Sequence, residues 1–267
     1  MRKIKVIVIF ILSNILLIVP MPALAKGYAV VTGASRGIGK SIAGELWVDG
    51  YSLILISRSA EMLESVKAEL KPQNKQDIQL YSLDLTNEKD CEKFFKEIKQ
   101  KNLAIEVLIN NAGIFKHGTS SVNSNAFLSL IDTNLIAAHN MVRNILPIML
   151  KHGTGYIINI SSFAGNHAVE GWGAYSASKY ALKGYTDSLL KELAGSKIKV
   201  TSISPSLTNT IMTKGLAGFN SSELIQTSDI SKTVIFLLSL GKSVSVNDVE
   251  IDNRKVVAHN NLNGDDL

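Results

Sequence analysis

The stretch YAVVTGASRGIG, residues 28–39, decides the fold of this 267-residue chain. An apolar run ends at Gly33, and two further glycines, Gly37 and Gly39, open a helical pattern. A buried strand that turns directly into a helix offers free backbone N–H groups and the positive end of the helix dipole to an anion. We therefore predict a phosphate-binding loop, in which Gly33 makes the turn, Gly37 admits the phosphate and Gly39 lets helix and strand pack closely. The alternative is a plain strand-to-helix turn.

Short apolar segments alternate with longer helical patterns along the rest of the chain. Their near-continuous apolar character is typical of parallel strands that are covered by helices on both faces. This alternation predicts an α/β fold, a Rossmann-type doubly wound parallel sheet of about seven strands, in one domain over residues 26–252. The polar residues 253–267 are predicted to form a frayed or disordered tail. The predicted strands are residues 28–33, 51–57, 77–83, 105–111, 155–161, 199–204 and 248–252, and the predicted helices are residues 37–48, 60–70, 87–100, 123–151, 173–195 and 228–240.

Charge and composition argue against several classes of function. Three of the 28 basic residues lie in the first five positions, which leaves 25 basic residues against 23 acidic ones in the rest of the chain. No basic stripe is interleaved with aromatic residues, so we expect no nucleic-acid partner. The single cysteine, Cys91, excludes an intramolecular disulfide. The five histidines lack metal-ligand spacing, so we predict no metal site.

The spacing Gly-x-x-x-Gly-x-Gly in the opening loop resembles the short-chain dehydrogenase/reductase family. Later motifs follow in that family's order: Asn110-Asn111-Ala112-Gly113, then a serine at position 162, then Tyr-x-x-x-Lys at positions 175–179. The resemblance covers about residues 27–252. It implies an oxidoreductase that uses a nicotinamide cofactor on a small-molecule substrate, and it is compatible with a homodimer or homotetramer formed through the helices after the fourth and fifth strands.

Residues after the second predicted strand favour NADP(H) over NAD(H). A protein that selects NAD usually has an acid at this point, which binds the ribose 2′-hydroxyl. Here the sequence is Ser57-Arg58-Ser59. Arg58, together with Arg36 of the glycine loop, would pair with a 2′-phosphate through several donors. The alternative for Arg58 is a solvated surface residue.

The resemblance implies further contacts with the cofactor. Asp84 would contact the adenine, Ala112 and Gly113 would leave room for the adenosine, and Thr210 would contact the nicotinamide amide, while Asn111 would brace the sheet. Ser206 and Thr208 stand where the family usually has glycine and an aliphatic residue. The predicted cofactor-binding residues are Gly33, Ser35, Arg36, Gly37, Ile38, Gly39, Arg58, Asp84, Asn111, Ala112, Gly113, Tyr175, Lys179, Pro205 and Thr210.

Tyr175 and Lys179 are the predicted acid–base pair. They lie four residues apart on a predicted helix, so they share a face. Reduction of a carbonyl needs a proton donor at the oxygen, and the reverse reaction needs a base there. Tyrosine, with a pKa of about 10, is a poor base at neutral pH, and an ammonium group about 5 Å away would lower that pKa by roughly two units.

Ser162 and Asn134 complete the predicted catalytic group. Adjacent strand residues point to opposite faces, so either Ser161 or Ser162 faces the site. The family's spacing of 13 residues before the tyrosine selects Ser162, whose hydroxyl would hold the substrate oxygen. The resemblance also assigns Asn134 to a water chain behind Lys179, and Lys179 to the nicotinamide ribose. The alternative for Asn134 is a solvated helix face.

The motifs of the sequence do not identify the substrate. Residues 213–227 are the predicted substrate lid. Phe163, Trp172, Leu207 and Phe219 either line an apolar substrate pocket or pack the lid. The sequence is therefore compatible with two functions: an NADP(H)-dependent oxidoreductase acting on a carbonyl/alcohol pair, and a low-turnover dinucleotide-binding protein with a regulatory or interaction role.

Residues 1–25 have the pattern of a targeting segment. A basic start is followed by an apolar core from Val6 to Val19 and by Ala23-Leu24-Ala25, which fits the A-x-A cleavage rule. We expect a cleaved signal peptide and a location in the secretory pathway or cell envelope. The alternatives are an uncleaved membrane anchor over residues 6–25, and a misassigned start or buried segment. An outward location would require NADP(H) in that compartment.

Overall fold

The described part of the chain alternates strands and helices as the sequence predicts. The computed structural model describes the backbone of residues 7–12 and 15–20, and residues 26–71, 76–214 and 220–254 in full. The strands in these residues are β1 (Ile7–Leu12), β2 (Ile15–Pro20), β3 (Tyr28–Thr32), β4 (Ser52–Ser57), β5 (Ile78–Ser82), β6 (Ile105–Asn110), β7 (Gly155–Ile160), β8 (Ile198–Pro205) and β9 (Asp248–Ile251), and the α-helices are α1 (Gly37–Val48), α2 (Ala60–Glu69), α3 (Glu88–Lys101), α4 (Ser124–Ile131), α5 (Ala137–His152), α6 (Gly173–Glu192) and α7 (Thr227–Ser239).

Strands β3 to β9 form one parallel sheet in the order β5-β4-β3-β6-β7-β8-β9. The chain first winds outward from β3 to β5, then crosses back to place β6 on the other side of β3. This confirms the predicted seven-stranded Rossmann-type sheet. The strand order reverses between β3 and β6, and in open α/β sheets ligands bind in the crevice at the carboxyl ends of the strands at such a point.

Helices cover both faces of the sheet and bury its apolar side chains. Helices α1, α2 and α7 supply one hydrophobic cluster, through residues such as Leu46, Leu63 and Val234. Helices α3, α5 and α6 supply the other, through residues such as Phe94 and Met141. Burial on both faces explains why the central strands read as continuous apolar runs rather than as alternating ones.

The helix predicted over residues 123–151 is interrupted. Residues Asp132–Ile136 form a π-helical turn between α4 and α5. The side chain of Asn134, within this turn, bonds the backbone of Ile114 with both its oxygen and its nitrogen. A π-helical turn inserts one residue into a helix and is frequent at functional sites. The interruption therefore aims Asn134 at the loop after β6.

The predicted targeting segment is described only in part. Its apolar core forms two antiparallel strands, with Ile7 opposite Pro20 and Leu12 opposite Ile15. The predicted cleavage site lies outside the described residues, as do residues 255–267 of the predicted tail. Across the described ranges, no helix combines the length and the apolar character needed to span a bilayer. The leader and its cleavage stay predictions.

Helix α1 packs unusually close to the loops that follow β3 and β6. A Cβ atom on Gly39 would lie 2.5 Å from Asn111 Nδ2 and closer still to the carbonyl oxygen of Gly33. Asn111 Nδ2 itself donates to the carbonyl oxygens of Thr32 (3.0 Å) and Gly33 (3.3 Å), so it has little freedom to move away. The position therefore requires the absence of a side chain.

Two glycines of the same helix provide a matched test of this close approach. We expect Gly39→Ala to lower the free energy of unfolding by about 1–3 kcal/mol, because the added methyl group overpacks a fixed contact. Gly44→Ala should raise it by up to about 1 kcal/mol, because alanine favours a helix over glycine and a Cβ atom at Gly44 meets nothing within 4 Å. Urea denaturation measures both. Equal stabilisation by the two variants would show that α1 does not dock as described.

Candidate active site

A cavity of about 680 Å³ opens at the carboxyl ends of β3, β4, β6, β7 and β8. Most of the residues that the sequence predicts as functional line it. They are Gly33, Ser35, Arg36, Gly37, Ile38, Arg58, Asp84, Asn111, Ala112, Gly113, Ser162, Tyr175, Lys179, Pro205 and Thr210. Gly39 lies behind the loop and Asn134 lies behind Gly113, so neither belongs to the lining.

The glycine loop presents an open helix terminus to this cavity. Gly33 and Gly37 have φ values of 64° and 55°, in the left-handed region that glycine adopts without strain. Arg36 is the N-cap of α1 but makes no side-chain capping bond, and the first turn contains no acid. Within the part of the chain that the structure describes, the first N–H groups of α1 thus lack a side-chain acceptor at the point where the dipole favours an anion. These features fit a phosphate-bearing cofactor.

Thr32 and Asn111 tie the ends of β3 and β6 together beneath the loop. The Thr32 hydroxyl accepts hydrogen bonds from the backbone N–H groups of Asn111 (2.9 Å) and Ala112 (3.0 Å). Asn111 returns bonds from its side chain to the backbone of β3 and its turn. Asn111 thus braces the sheet, as expected. Thr32 is not among the residues predicted from the sequence. The signal that could have identified it is a polar residue at the end of an apolar buried strand.

The end of the cavity beyond the glycine loop is charged. Asp84 accepts hydrogen bonds from the backbone N–H and the hydroxyl of Thr86 (2.9 and 2.8 Å). These bonds, with a smaller contribution from the positive charge of Arg58, hold the pKa of Asp84 below its usual value. Arg36 and Arg58 are both exposed. Among the described residues neither is joined to an acid by an ion pair, so both guanidinium groups are free to bind an anionic ligand.

Lys179 is a buried cation at the end of β7. Its side chain is 5% exposed, and Nζ donates a 2.9 Å hydrogen bond to the carbonyl oxygen of Ile160. Nζ lies 5.8 Å from the centroid of the Tyr175 ring. Because burial disfavours the charged form, it lowers the pKa of Lys179 to about 8.

Tyr175 is buried to a similar degree, with 7% exposure. Burial raises the pKa of Tyr175 to about 12, and a hydrogen bond with Ser162 acts in the opposite direction. The expectation that the nearby ammonium group would lower this pKa by two units is therefore wrong for the protein alone. The physical reason is that burial destabilises the charged tyrosinate by more than the positive charge of the buried Lys179 stabilises it.

The two serines after β7 have different partners. Ser162 hydrogen-bonds Tyr175 through its hydroxyl, and its oxygen also accepts from the backbone N–H of Ala164 at 3.2 Å. Ser161 instead directs its hydroxyl to the backbone carbonyl of Lys179 at 3.4 Å. Of the two alternatives that the sequence left open, Ser162 is the one that meets the tyrosine.

Asn134 is buried, with 1% exposure, so the alternative of a solvated helix face is wrong. Its Oδ1 accepts from the backbone N–H of Ile114 (2.8 Å), and its Nδ2 donates to Ser178 Oγ (2.9 Å). Ser178 Oγ in turn donates to the backbone carbonyl of Tyr175 at 2.7 Å. This chain ties the loop after β6 to the helix that carries Tyr175. Ser178 is not among the residues predicted from the sequence. The sequence indicates it only as a small polar residue one helical turn after Tyr175.

Gly113 separates Asn134 from Lys179. A Cβ atom on Gly113 would lie 3.2 Å from Asn134 Oδ1 and 3.7 Å from Lys179 Nζ. Asn134 Oδ1 and Lys179 Nζ therefore both lie next to Gly113. The water chain that the resemblance assigns to Asn134 stays a prediction.

The wall around Tyr175 is aromatic. The Phe115 ring lies 4.8 Å from that of Trp172 and 5.1 Å from that of Tyr175, edge-on in both cases. Phe163, Trp172 and Leu207 line the cavity, which was one of the two alternatives that the sequence left open, while Phe219 lies outside the described residues. Phe115 was missed, although an aromatic residue two positions after Gly113 is visible in the sequence. Of the predicted lid, Thr213 lines the cavity, and residues 215–219 lie outside the described residues.

Comparison with known sequences gives consistent relatives. The family model described as short chain dehydrogenase matches residues 27–219. An uncharacterized oxidoreductase of Staphylococcus epidermidis is 32% identical over 232 residues, which is 86% of this chain and 99% of the relative. One from Staphylococcus aureus is 32% identical over 234 residues, with the same two shares.

Solved structures agree with the sequence relatives. A betaketoacyl-[ACP] reductase from Bacteroides thetaiotaomicron has a TM-score of 0.77 at 34% identity, over 87% of this chain and 99% of that one. A metagenomic short-chain oxidoreductase in complex with NADP has a TM-score of 0.74 at 30% identity, over 86% and 98%. Fold, cavity and relatives together show that this chain belongs to the short-chain dehydrogenase family of oxidoreductases.

Proposed function

We propose that the chain is an NADP(H)-dependent oxidoreductase that interconverts a carbonyl and an alcohol. The observation that carries this proposal is one continuous cavity. It joins the open terminus of α1 and two exposed arginines to a buried tyrosine beside a buried lysine. NADP(H) bound along that cavity would supply or accept the hydride. Side chains of this chain would transfer the proton and orient the substrate.

Tyr175 would donate the proton during reduction and accept it during oxidation. With its pKa raised to about 12, the hydroxyl is protonated at neutral pH, which suits the donor role. Ser162, hydrogen-bonded to the tyrosine, would hold the substrate oxygen beside it. The burial of both side chains would exclude water from the transfer.

Lys179 would stabilise the tyrosinate that remains after proton donation. A pKa of about 8 leaves most of this side chain charged at pH 7. Its bond to Ile160 holds the ammonium group near the tyrosine, and it would also bind the nicotinamide ribose. Asn134, through its hydrogen bonds with Ser178 and Ile114, would hold α6 against the loop after β6. It would also organise a chain of water molecules that reaches Lys179.

The preference for NADP(H) rests on charge. The three residues that directly follow β4 include no acid, and Arg36 and Arg58 are exposed and unpaired within the described ranges. An acid at this point would repel a 2′-phosphate, whereas two guanidinium groups attract it. The NADP complex of a similar solved structure supports the same choice.

The targeting segment is a separate part of the proposal. We infer that residues 1–25 act as a signal peptide that places the domain in the secretory pathway or cell envelope, with membrane anchoring by residues 6–25 as the alternative. N-terminal sequencing of the expressed protein decides cleavage, with a start at Lys26 expected. An intact Met1 start would contradict it.

Removal of the Tyr175 hydroxyl tests the catalytic assignment. We expect Tyr175→Phe to lower kcat/KM for NADPH-dependent reduction of ketones and aldehydes at least about a hundredfold, because general acid catalysis is lost. NADPH binding, measured by fluorescence titration, should change less than about twofold, because the cavity loses a single oxygen atom.

Tyr180 provides the control for that variant, since it lies on the same helix and is 45% exposed. Tyr180→Phe should retain wild-type turnover. If the wild type and Tyr175→Phe bound NADPH and turned over equally slowly, the chain would instead be the low-turnover dinucleotide-binding protein.

Removal of Arg58 tests the choice of cofactor. Loss of a charge-assisted contact with the 2′-phosphate should raise the KM for NADPH about 10- to 100-fold in Arg58→Ala. The KM for NADH should stay within about twofold, because NADH lacks that phosphate. Arg143→Ala removes the same charge from the exposed side of α5, outside the cavity, and should change neither constant. An equal rise in the KM values for NADPH and NADH would show that Arg58 does not bind the 2′-phosphate.

A further inference from the structure

We propose that Glu170 selects the substrate: the site accepts a largely apolar carbonyl compound or alcohol that carries a cationic group away from the reacting carbon. The inference rests on the proposed oxidoreductase function and names the class of molecule on which it acts. It comes from the charges that line the cavity, the turn that holds Glu170 and the apolar wall beside it.

Charged side chains are unevenly distributed around the cavity. Five described residues of its lining carry a charge: Arg36, Arg58, Asp84, Glu170 and Lys179. The first three lie at the end with the glycine loop and the carboxyl ends of β4 and β5. Lys179 is buried and bonded to Ile160. Glu170 is therefore the only other charge, among the described residues, on the side of the cavity that contains Tyr175.

A tight turn holds Glu170 at the edge of the cavity. The backbone carbonyl of Val169 accepts a 3.1 Å hydrogen bond from the N–H of Trp172, so Glu170 and Gly171 are the central residues of the turn. Gly171 has a φ of 72°, as the third residue of a type II turn requires. Its carbonyl also accepts a 2.5 Å bond from the N–H of Gly118, which fixes the turn against the loop after β6.

The Glu170 carboxylate is free to meet a ligand. Its residue is exposed, and the side chain forms neither a hydrogen bond nor an ion pair with any residue of the described ranges. Lys116 and His117 lie on the adjacent loop and are exposed, but no ion pair joins either of them to Glu170.

Two other acids lie close to this region, but they already have partners. Asn166 Nδ2 bonds Asp248 (2.9 Å) and Glu250 (2.8 Å), and His167 Nε2 lies 2.9 Å from Glu250 Oε1. Neither acid lines the cavity. Among the described residues, Glu170 is thus the carboxylate that a substrate in this part of the cavity encounters.

Apolar side chains lie beside Glu170. Val169 and Trp172, its neighbours in the turn, pack with Ile114 and Phe115 around Tyr175. Leu207 adds to the same wall of the cavity. A charge beside apolar side chains is less screened than one in open water, so it attracts a cation and repels an anion more effectively. The wall would bind the body of the substrate, and Glu170 would bind its cationic group.

Three aldehydes that differ in the charge of one substituent test this selection. They are benzaldehydes that carry a 4-trimethylammonium, a 4-tert-butyl or a 4-carboxylate group, of which the first two differ in charge but hardly in size. Because these groups alter the reactivity of the carbonyl, each compound is compared between the wild type and Glu170→Gln. We expect the variant to lower kcat/KM for the cationic aldehyde about fivefold, as one partly screened charge pair allows. The tert-butyl aldehyde should change less than twofold, and the carboxylate should improve.

Salt and a second variant provide the controls. About 1 M NaCl should reduce the fivefold effect, because it shortens the screening length to about 3 Å. Glu92→Gln removes the same charge from an exposed position of α3, outside the cavity, and should alter none of the three rates. If Glu170→Gln changed the cationic and tert-butyl aldehydes equally, the proposed selection would be overturned.

Failure of the proposed function gives a different pattern. Turnover of the tert-butyl aldehyde by the wild type, and its loss in Tyr175→Phe, reports on the oxidoreductase chemistry alone. If the wild type turned over none of the three compounds, the oxidoreductase proposal would fail for this class. Calorimetric binding of the cationic and tert-butyl compounds to the NADPH-loaded protein would then decide the role of Glu170. Tighter cation binding that Glu170→Gln abolishes supports it, and equal affinities overturn it.

Discussion

The parallel direction of the seven strands is the constraint on which the cavity depends. All carboxyl ends of β3 to β9 emerge at one edge of the sheet, and the order of the strands reverses between β3 and β6. Residues as distant in sequence as Gly33, Asn111, Ser162 and Pro205 therefore line one space. Because of the same constraint, different residues stabilise the fold and line the cavity. The buried strands and helix faces stabilise the fold, while the loops at this one edge supply the polar groups of the cavity.

The sequence predicted most of the fold because burial on both faces of the sheet leaves a strong pattern. Each of the seven predicted strands overlaps a strand of the sheet, and the strand–helix alternation leaves few topologies open. The break between α4 and α5 was not predictable from periodicity. Within the break, two hydrogen bonds join Asn134 and Ile114, which lie 20 positions apart in the sequence. A local pattern carries no information about such a contact.

The candidate site was predictable in its residue types but not in its electrostatics. Spacing alone places Tyr175 and Lys179 on one face of a helix. It does not reveal that both are buried, and burial reverses the expected direction of the tyrosine pKa. Glu170 has no motif at all; it matters because the turn at residues 169–172 and the apolar wall are assembled from separate loops. Tertiary structure, rather than sequence pattern, determines these properties.

The burial of the Lys179 ammonium group, on which the proposed chemistry depends, has a thermodynamic signature. A pKa of about 8 in the folded protein, against 10.5 when exposed, means that burial destabilises the fold fully below pH 8 and that this cost fades as the pH rises towards 10.5. The most direct measurement is urea denaturation of wild type and Lys179→Met at pH 7 and pH 10. We expect Lys179→Met to be inactive and more stable than the wild type by about 2 kcal/mol at pH 7, after allowance for the lost hydrogen bond, with little advantage at pH 10. An equal or lower stability at pH 7, or a difference independent of pH, would contradict it.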